Sequence, residues 1–253
     1  MADAILITIS VSHYCEKARW ALDRAGFAYV EQAHAPLMHR LATQRHAGGT
    51  VPVLVHGATR LIDSTPILTH ADAARGGDLL YPRDAALRNE VEALEEQFDT
   101  DLGPHTRRWA YGQLLPCPTL LHTLWSRGAP PLEASLLTMI APLVRRLVTS
   151  GYKITPERAE RSLERARSVF RKVDERLSDG RRFLVGNRFT AADLTFAALA
   201  APMLLPAECR AAQPELNDVP PAMREEILSS RNSAAGQFAM RMFSEQRGIV
   251  VAA

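Results

Sequence analysis

The first apolar run of the chain, Ile5-Leu6-Ile7-Thr8-Ile9, is too short and too β-branched to be anything but a buried strand. Ala18, Ala21, Leu22 and Ala25 then recur at helical spacing with Trp20 beside them, and Gly26 stands where a helix C′ residue is expected. The stretch Ser10 to Trp20 is therefore a strand-loop-helix joint with Ser12 at the N-cap and Cys15 three residues on. Residues 27–32 predict a second strand, parallel to the first because a helix separates them. From Pro36 to Gly49 the pattern weakens into a polar loop carrying His39, Arg40, Arg45 and His46, and loops of this length beside a compact sheet are more often functional than idle.

Thr50-Val51-Pro52-Val53-Leu54-Val55 is strand-like but interrupted by proline, which confines it to an edge, a strand start or a special turn and leaves Val51 with free backbone groups. A cis bond before Pro52 would aim those groups at a ligand lying alongside. Gly57 makes a turn, Arg60-Leu61-Ile62 is a short strand, and Asp63-Ser64-Thr65-Pro66 opens a helix with Ser64 as N-cap and Pro66 in the first turn. Past Gly76-Gly77 and Tyr81-Pro82 the strand signal stops, so the chain divides into residues 1–80 and an all-helical unit over 84–253.

In that second unit Leu87, Val91, Leu94, Phe98 and Leu102 form one apolar stripe, with Glu90, Glu92, Glu95 and Glu96 mostly off it, and Pro104 ends or bends the helix. Four prolines over residues 113–132 predict short helical pieces and loops. An apolar helix follows over 136–148. Another starts at Thr155-Pro156 and buries Leu163, Ala166, Phe170, Val173 and Leu177. Thr190 with Asp193 three residues on is a capping box, flanked by Phe189 and Leu194 as a hydrophobic staple.

Composition narrows the function classes. The 253 residues, 47% of them hydrophobic, are enough for one large core or two modest ones. Thirty basic and 28 acidic residues leave a formal charge of +2, without the electrostatic footprint of a nucleic-acid binder. Cys15, Cys117 and Cys209 are odd in number and far apart, which fits neither a disulfide framework nor a metal site and points to a reducing cytoplasm. There is no basic region followed by an apolar stretch at the N-terminus, and no run approaches the roughly 20 apolar residues of a membrane span, so neither secretion nor membrane insertion is expected.

The candidate chemistry lies at the first joint. A helix N-terminus favours an anion and lowers the pKa of a nearby thiol, whether it belongs to the protein or to a ligand; the plain alternative is a capping serine before a core helix. Asp63 and Ser64 offer a second pair, a negative charge for an ammonium and a helix N-terminus for a carboxylate.

The Ser-x-x-Cys joint, Val51-Pro52, Asp63-Ser64, a boundary near residue 82 and the Thr190 capping box occur in an order that resembles a glutathione S-transferase, over residues 4–202. The resemblance implies an α/β thioredoxin-like N-terminal domain that binds glutathione as co-substrate, and an all-α C-terminal domain forming most of the pocket for a small hydrophobic electrophile. It further implies a homodimer and a role in detoxification. Carried over by position, Val51 pairs through its backbone with the cysteinyl part of glutathione ahead of a cis-Pro52, Asp63 and Ser64 hold the γ-glutamyl end, Ser12 is the serine donor, and the loop with His39 and Arg40 meets the glycine carboxylate. Two departures stand out: His46-Ala47-Gly48-Gly49-Thr50 replaces the usual Asn-Pro-x-Gly-Lys, removing a basic contact at Thr50, and His13 replaces a common proline.

A serine hydroxyl is too weak an acid to ionise here, so Ser12 acts by donating a hydrogen bond to the ligand sulfur, worth roughly 1.5–3 kcal/mol or one to two pKa units. The rival is Cys15 as a glutathione-dependent thiol transferase, although cysteine at N3 faces inward and buried cysteine is usually a small hydrophobe. A catalytically silent interaction module is the third reading. Leu102, Trp109, Tyr111, Leu115 and the region of Met203 are expected to line the second-substrate pocket.

Overall fold

A computed structural model describes residues 4–46 and 48–251; Ala47, part of the departure noted above, lies outside them. Its first unit is a four-stranded sheet ordered β2-β1-β3-β4, built from β1 (Ala4–Thr8), β2 (Val30–Ala33), β3 (Val53–His56) and β4 (Thr59–Ile62). β1 runs parallel to β2 with Ile5 opposite Val30, and antiparallel to β3 with Leu6 opposite Leu54. The predicted parallel pair is thus present, and α1 (His13–Arg24) is its crossover. The second strand starts at Val30 rather than at 27, because Phe27 N–H is still given to the Leu22 carbonyl as part of the helix end. Gly26 at φ 59° makes that end, a backbone conformation that favours glycine.

Two local expectations are corrected. Residues 36–49 are not a plain loop: a short helix, α2 (His39–Gln44), lies within them. The N-cap of α3 (Ser64–Ala73) is Asp63, not Ser64. The chain passes from β4 into α3 in a single residue, which Asp63 accomplishes at φ 84° while its Oδ1 accepts the Ser64 N–H. With ψ at 159° this lies outside the left-handed helical region that aspartate tolerates, in a strained conformation otherwise left to glycine.

The rest is helical: α4 (Ala85–Asp101), α5 (Gly103–Leu114), α6 (Pro118–Ser126), α7 (Pro131–Gly151), α8 (Pro156–Leu177), α9 (Ala191–Leu204), α10 (Pro221–Asn232) and α11 (Ala234–Gln246). α9 is buried along nearly its whole length, and its start is fixed by the predicted capping box, in which the Asp193 carboxylate accepts from Thr190 N and Leu184 N, each at 2.7 Å. The Ala191 N–H donates to the Leu80 carbonyl, tying that start to the linker between the two units. The linker is held from its other side by Asp72, whose Oδ1 accepts from the backbone N–H groups of Leu79, Leu80 and Tyr81.

The helix α1 covers one sheet face as its apolar spacing predicts, but its polar side is buried too. Trp20 packs on Phe243 of α11 with ring centroids 4.7 Å apart and stacks on Phe189. Glu16, Lys17 and Arg19 are closed off from solvent. Lys17 Nζ lies 2.6 Å from Asp99, 2.8 Å from Glu95 and 3.1 Å from the Thr65 hydroxyl, joining α1, α3 and α4. Glu95, expected to lie off the apolar stripe, therefore faces inward and also accepts from the Tyr81 hydroxyl. Removing one member of a buried ionic cluster leaves an uncompensated charge. Lys17→Met should lower unfolding stability by about 3–5 kcal/mol. Denaturant titration reads this as a shifted midpoint at constant slope, and an unshifted midpoint would show that Glu95 and Asp99 find other partners.

Candidate functional site

Ser12 caps α1 with extended backbone, and its Oγ accepts the Cys15 N–H at 3.2 Å. Among the described residues no oxygen or nitrogen accepts the hydroxyl proton; it lies close to the Cys15 sulfur, a weak acceptor from which a ligand can draw it. The hydroxyl stands at the base of a cleft of about 540 Å³. Val51, Thr50 and Gly49 form one side with His39 and Arg40 of α2. Arg107 and Tyr111 of α5, Leu124 and Trp125 of α6, and Tyr152 after α7 form the opposite side, and residues 211–214 close the third. A second concavity of about 640 Å³ between α5 and α8 is lined by His105, Arg108 and Arg165 among others, and none of the sequence-predicted site residues borders it.

Cys15 turns away from the cleft. It is 0% exposed, and burial raises its thiol pKa, only partly offset by Arg19 and the Ser12 hydrogen bond. Reactive cysteines need the opposite environment. His13 is also buried: its Nε2 lies 2.9 Å from the Gly103 carbonyl oxygen, an acceptor only, so this nitrogen carries the proton. Burial, reinforced by Arg107, lowers the His13 pKa to about 3, and burial with Arg40 and His34 nearby lowers that of His39 to about 4. Both imidazoles are therefore neutral at pH 7, which leaves Arg40, exposed at the rim, as the cation at the α2 end.

The Val51-Pro52 peptide is cis, and the ladder between β1 and β3 begins only at Val53. The Val51 main chain makes no hydrogen bond among the described residues, so it presents an open edge to the cleft. Asp63 and Ser64 do not line the cleft itself, but the Asp63 N–H donates to the Pro52 carbonyl at 3.1 Å, which sets the α3 N-terminus directly beside Val51. The Ser64 hydroxyl, fully buried, donates to Asp63 at 3.1 Å.

Of the residues expected in the second-substrate pocket, Tyr111 is there, and the region of Met203 reaches it through Ala201, Pro202 and Leu205. Leu102, Trp109 and Met203 belong to the core and Leu115 packs against it. The helix restarts at Gly103, where a side chain would collide with the Tyr14 hydroxyl, so the faces of α4 and α5 are not continuous. Arg107, Tyr152 and the segment 211–214 went unforeseen. Periodicity could have flagged Arg107 as the position four residues before Tyr111 on the same helix face.

The chain matches the family described as glutathione S-transferase, N-terminal domain, over residues 6–78, and glutathione S-transferase, C-terminal domain, over residues 156–225. No curated protein sequence matches it. Among solved structures it is similar to a glutathione S-transferase from Xanthobacter autotrophicus Py2, at 17% identity with 98% of this chain and 96% of that one covered and a TM-score of 0.61. It is also similar to a beta-etherase from Sphingobium sp. strain SYK-6, at 16% identity with 94% and 99% covered and a TM-score of 0.59. A theta class glutathione S-transferase from the citrus canker pathogen Xanthomonas axonopodis pv. citri, with glutathione bound, gives 18% identity, 95% and 97% covered, and a TM-score of 0.53. A thioredoxin-like sheet unit with a cis-proline edge, followed by a helical unit, thus defines the class, and this chain belongs to the glutathione S-transferase family.

The buried histidines give the site a pH signature. An unfolded histidine takes a proton near pH 6.5, whereas folded His13 stays neutral to about pH 3. Across that window the unfolded chain binds the extra proton, so stability falls as pH drops from 6.5 towards 3, with His39 acting in the same direction. His13→Gln, which keeps a donor for Gly103, should flatten this slope. Urea titrations of both proteins at pH 7 and 4.5 check it, and identical slopes would show that His13 titrates normally.

Proposed function

We propose that this chain is a glutathione transferase in which Ser12 activates the thiol of bound glutathione for attack on a hydrophobic electrophile. The observation that carries this reading is the Ser12 hydroxyl at the N-terminus of α1, whose proton no oxygen or nitrogen accepts among the described residues, facing a cleft with an open peptide edge on one side and an apolar helical wall on the other. Residues 1–80 are read as the glutathione-binding unit and 84–253 as the unit supplying the second-substrate wall. The free main chain of Val51, held by cis-Pro52, suits the cysteinyl backbone of the tripeptide. Asp63 would meet the γ-glutamyl ammonium, and Ser64 with the first turn of α3 would meet its carboxylate, the Ser64 hydroxyl turning from Asp63 to do so. Arg40, with neutral His39 as a hydrogen-bond partner, would take the glycine carboxylate in place of the basic residue missing at Thr50.

With the sulfur beside Ser12, the hydroxyl and the helix N-terminus stabilise its thiolate, and the thiol proton passes to solvent. The thiolate then forms a bond to the electrophilic carbon as the leaving group departs with its electron pair. Burial of Cys15 argues against the thiol-transferase alternative. A homodimer is part of this reading by family likeness, and light scattering that held at the 27.9 kDa monomer mass across a wide concentration range would remove it.

Calorimetry should detect glutathione binding that weakens sharply in Asp63→Ala, and absence of binding at millimolar glutathione would favour a silent interaction module instead. Ser12→Ala should slow conjugation about tenfold or more, the equivalent of one hydrogen bond to a thiolate. Cys15→Ala should change mainly stability. Intact-mass analysis after incubation with oxidised glutathione is the independent check: a stable adduct on Cys15 together with an active Ser12→Ala enzyme would reverse the assignment.

A further inference from the structure

The cleft contains a cation that the chain itself leaves without an anion. Arg107 projects from α5 into the helical half of the cleft, partly buried, with its guanidinium carbon 4.3 Å from the ring centroid of Tyr152 and 5.6 Å from that of Tyr14. Among the described residues no carboxylate pairs with it and no oxygen accepts from it. Its neighbours are different: Arg108 donates to the Tyr152 carbonyl and the Ser162 hydroxyl, and Arg145 donates to the Leu115 carbonyl. The wall around Arg107 is otherwise apolar, from Ala110, Leu114, Leu124 and Trp125. The guanidinium keeps contact with solvent along this wall, and an anionic ligand entering the cleft would find its donors unengaged. The two tyrosine rings hold its plane, and a planar fork of donors matches a carboxylate or sulfonate bidentately.

We propose that the second substrate is an apolar, aromatic-sized electrophile bearing an anionic group, and that Arg107 is the residue selecting it. This rests on the glutathione transferase reading for its chemistry, while the anion subsite itself does not need glutathione. The histidines near the guanidinium do not compete for the role: His13 faces Gly103, and His39 sits across the cleft on α2. The same cation also excludes hydrophobic compounds that are positively charged, which an apolar pocket alone would accept.

The test uses 4-chloro-3,5-dinitrobenzoate and its methyl ester, two electrophiles with one reacting centre. In each, the glutathione thiolate forms a carbon–sulfur bond at the chlorinated ring carbon and chloride leaves with the bonding pair; the ester activates the ring more strongly than the carboxylate, so each rate is taken relative to the uncatalysed reaction of the same compound with glutathione. Wild type should favour the acid in kcat/KM relative to the uncatalysed rate. Arg107→Met should lower the acid-to-ester ratio at least tenfold through KM, and Arg107→Lys should recover part of it. A ratio unchanged by Arg107→Met would overturn the proposal, as would a parallel rise in KM for glutathione, which would assign the cation to a carboxylate of the tripeptide. Dye binding keeps the result independent of turnover. Fluorescence titration with 8-anilinonaphthalene-1-sulfonate and with neutral N-phenyl-1-naphthylamine should show a selective loss of the sulfonate dye in Arg107→Met, and equal losses of both dyes would overturn it. If wild type conjugates neither electrophile, the transferase reading fails, and the dye pair still decides whether Arg107 forms an anion subsite.

Discussion

The arrangement of the cleft depends on one buried ammonium. Lys17 stands on α1 five residues after Ser12, and its three partners belong to α3 and α4. Asp99 takes part twice, through its carboxylate to Lys17 and through its main-chain carbonyl to the Tyr14 hydroxyl. Two helix N-termini that face the ligand region, those of α1 and α3, are therefore pinned to the same turn of α4. Burial raises the pKa of Asp99, an effect that its contact with Lys17 opposes. Such a cluster adds little net stability over well-packed apolar residues, because desolvating the charges offsets their attraction. Its value here is in orientation: an apolar contact would let α1 slide or rotate, whereas three directed bonds to one ammonium do not.

A second set of ions runs along the same helix, from Glu16 in its first turn to Asp23 in its last. Arg247, after α11, lies 2.6 Å from Glu16 and 2.9 Å from Asp23, and Arg19 pairs with Glu31 of β2 at 2.7 Å. The Val251 N–H donates to the Arg24 carbonyl while Arg75 donates to the Val251 carbonyl, so the end of the described chain is bound back to the first helix and to the residues after α3. The segment after residue 205 is thus the cover of α1 and not an appendage, and on its way there it places residues 211–214 in the cleft, where the Ala212 N–H donates to the Ser10 carbonyl.

What could be read beforehand was what is local. The first strand and helix, the Ser12 cap and the Thr190 capping box each follow from a few adjacent residues, and each is present, as is the cis bond at Pro52 that the family resemblance implied. The errors came where a residue's role depends on something distant. Glu95 looked like a solvent-facing acid because nothing within α4 reveals the ammonium of Lys17. Trp109 and Leu102 looked like pocket residues because the apolar stripe gives no sign that the helix breaks and restarts at Gly103, a glycine whose necessity comes from Tyr14, some 90 positions earlier in the sequence. Arg107 was invisible for the same reason: an arginine on a helix is ordinarily solvated, and only the closure of α6, α7 and Tyr152 around it makes it otherwise.

The charge of the cleft follows from which of its basic groups are buried. The histidines that face it are held neutral by burial, and the arginines are not, so the positive potential around Ser12 comes from guanidinium groups and from the first-turn amides of α1, neither of which titrates near neutrality. His13, with its Nε2 proton given to Gly103 and its ring packed on Tyr14 at 4.6 Å, is in no position to take a proton from a thiol in the cleft. Activation at this site is therefore a matter of stabilising an anion that forms by loss of a proton to water, not of abstracting that proton. The pH dependence of thiolate formation should then report the ligand's own sulfur, shifted by Ser12 and the helix terminus, with no histidine limb superimposed on it.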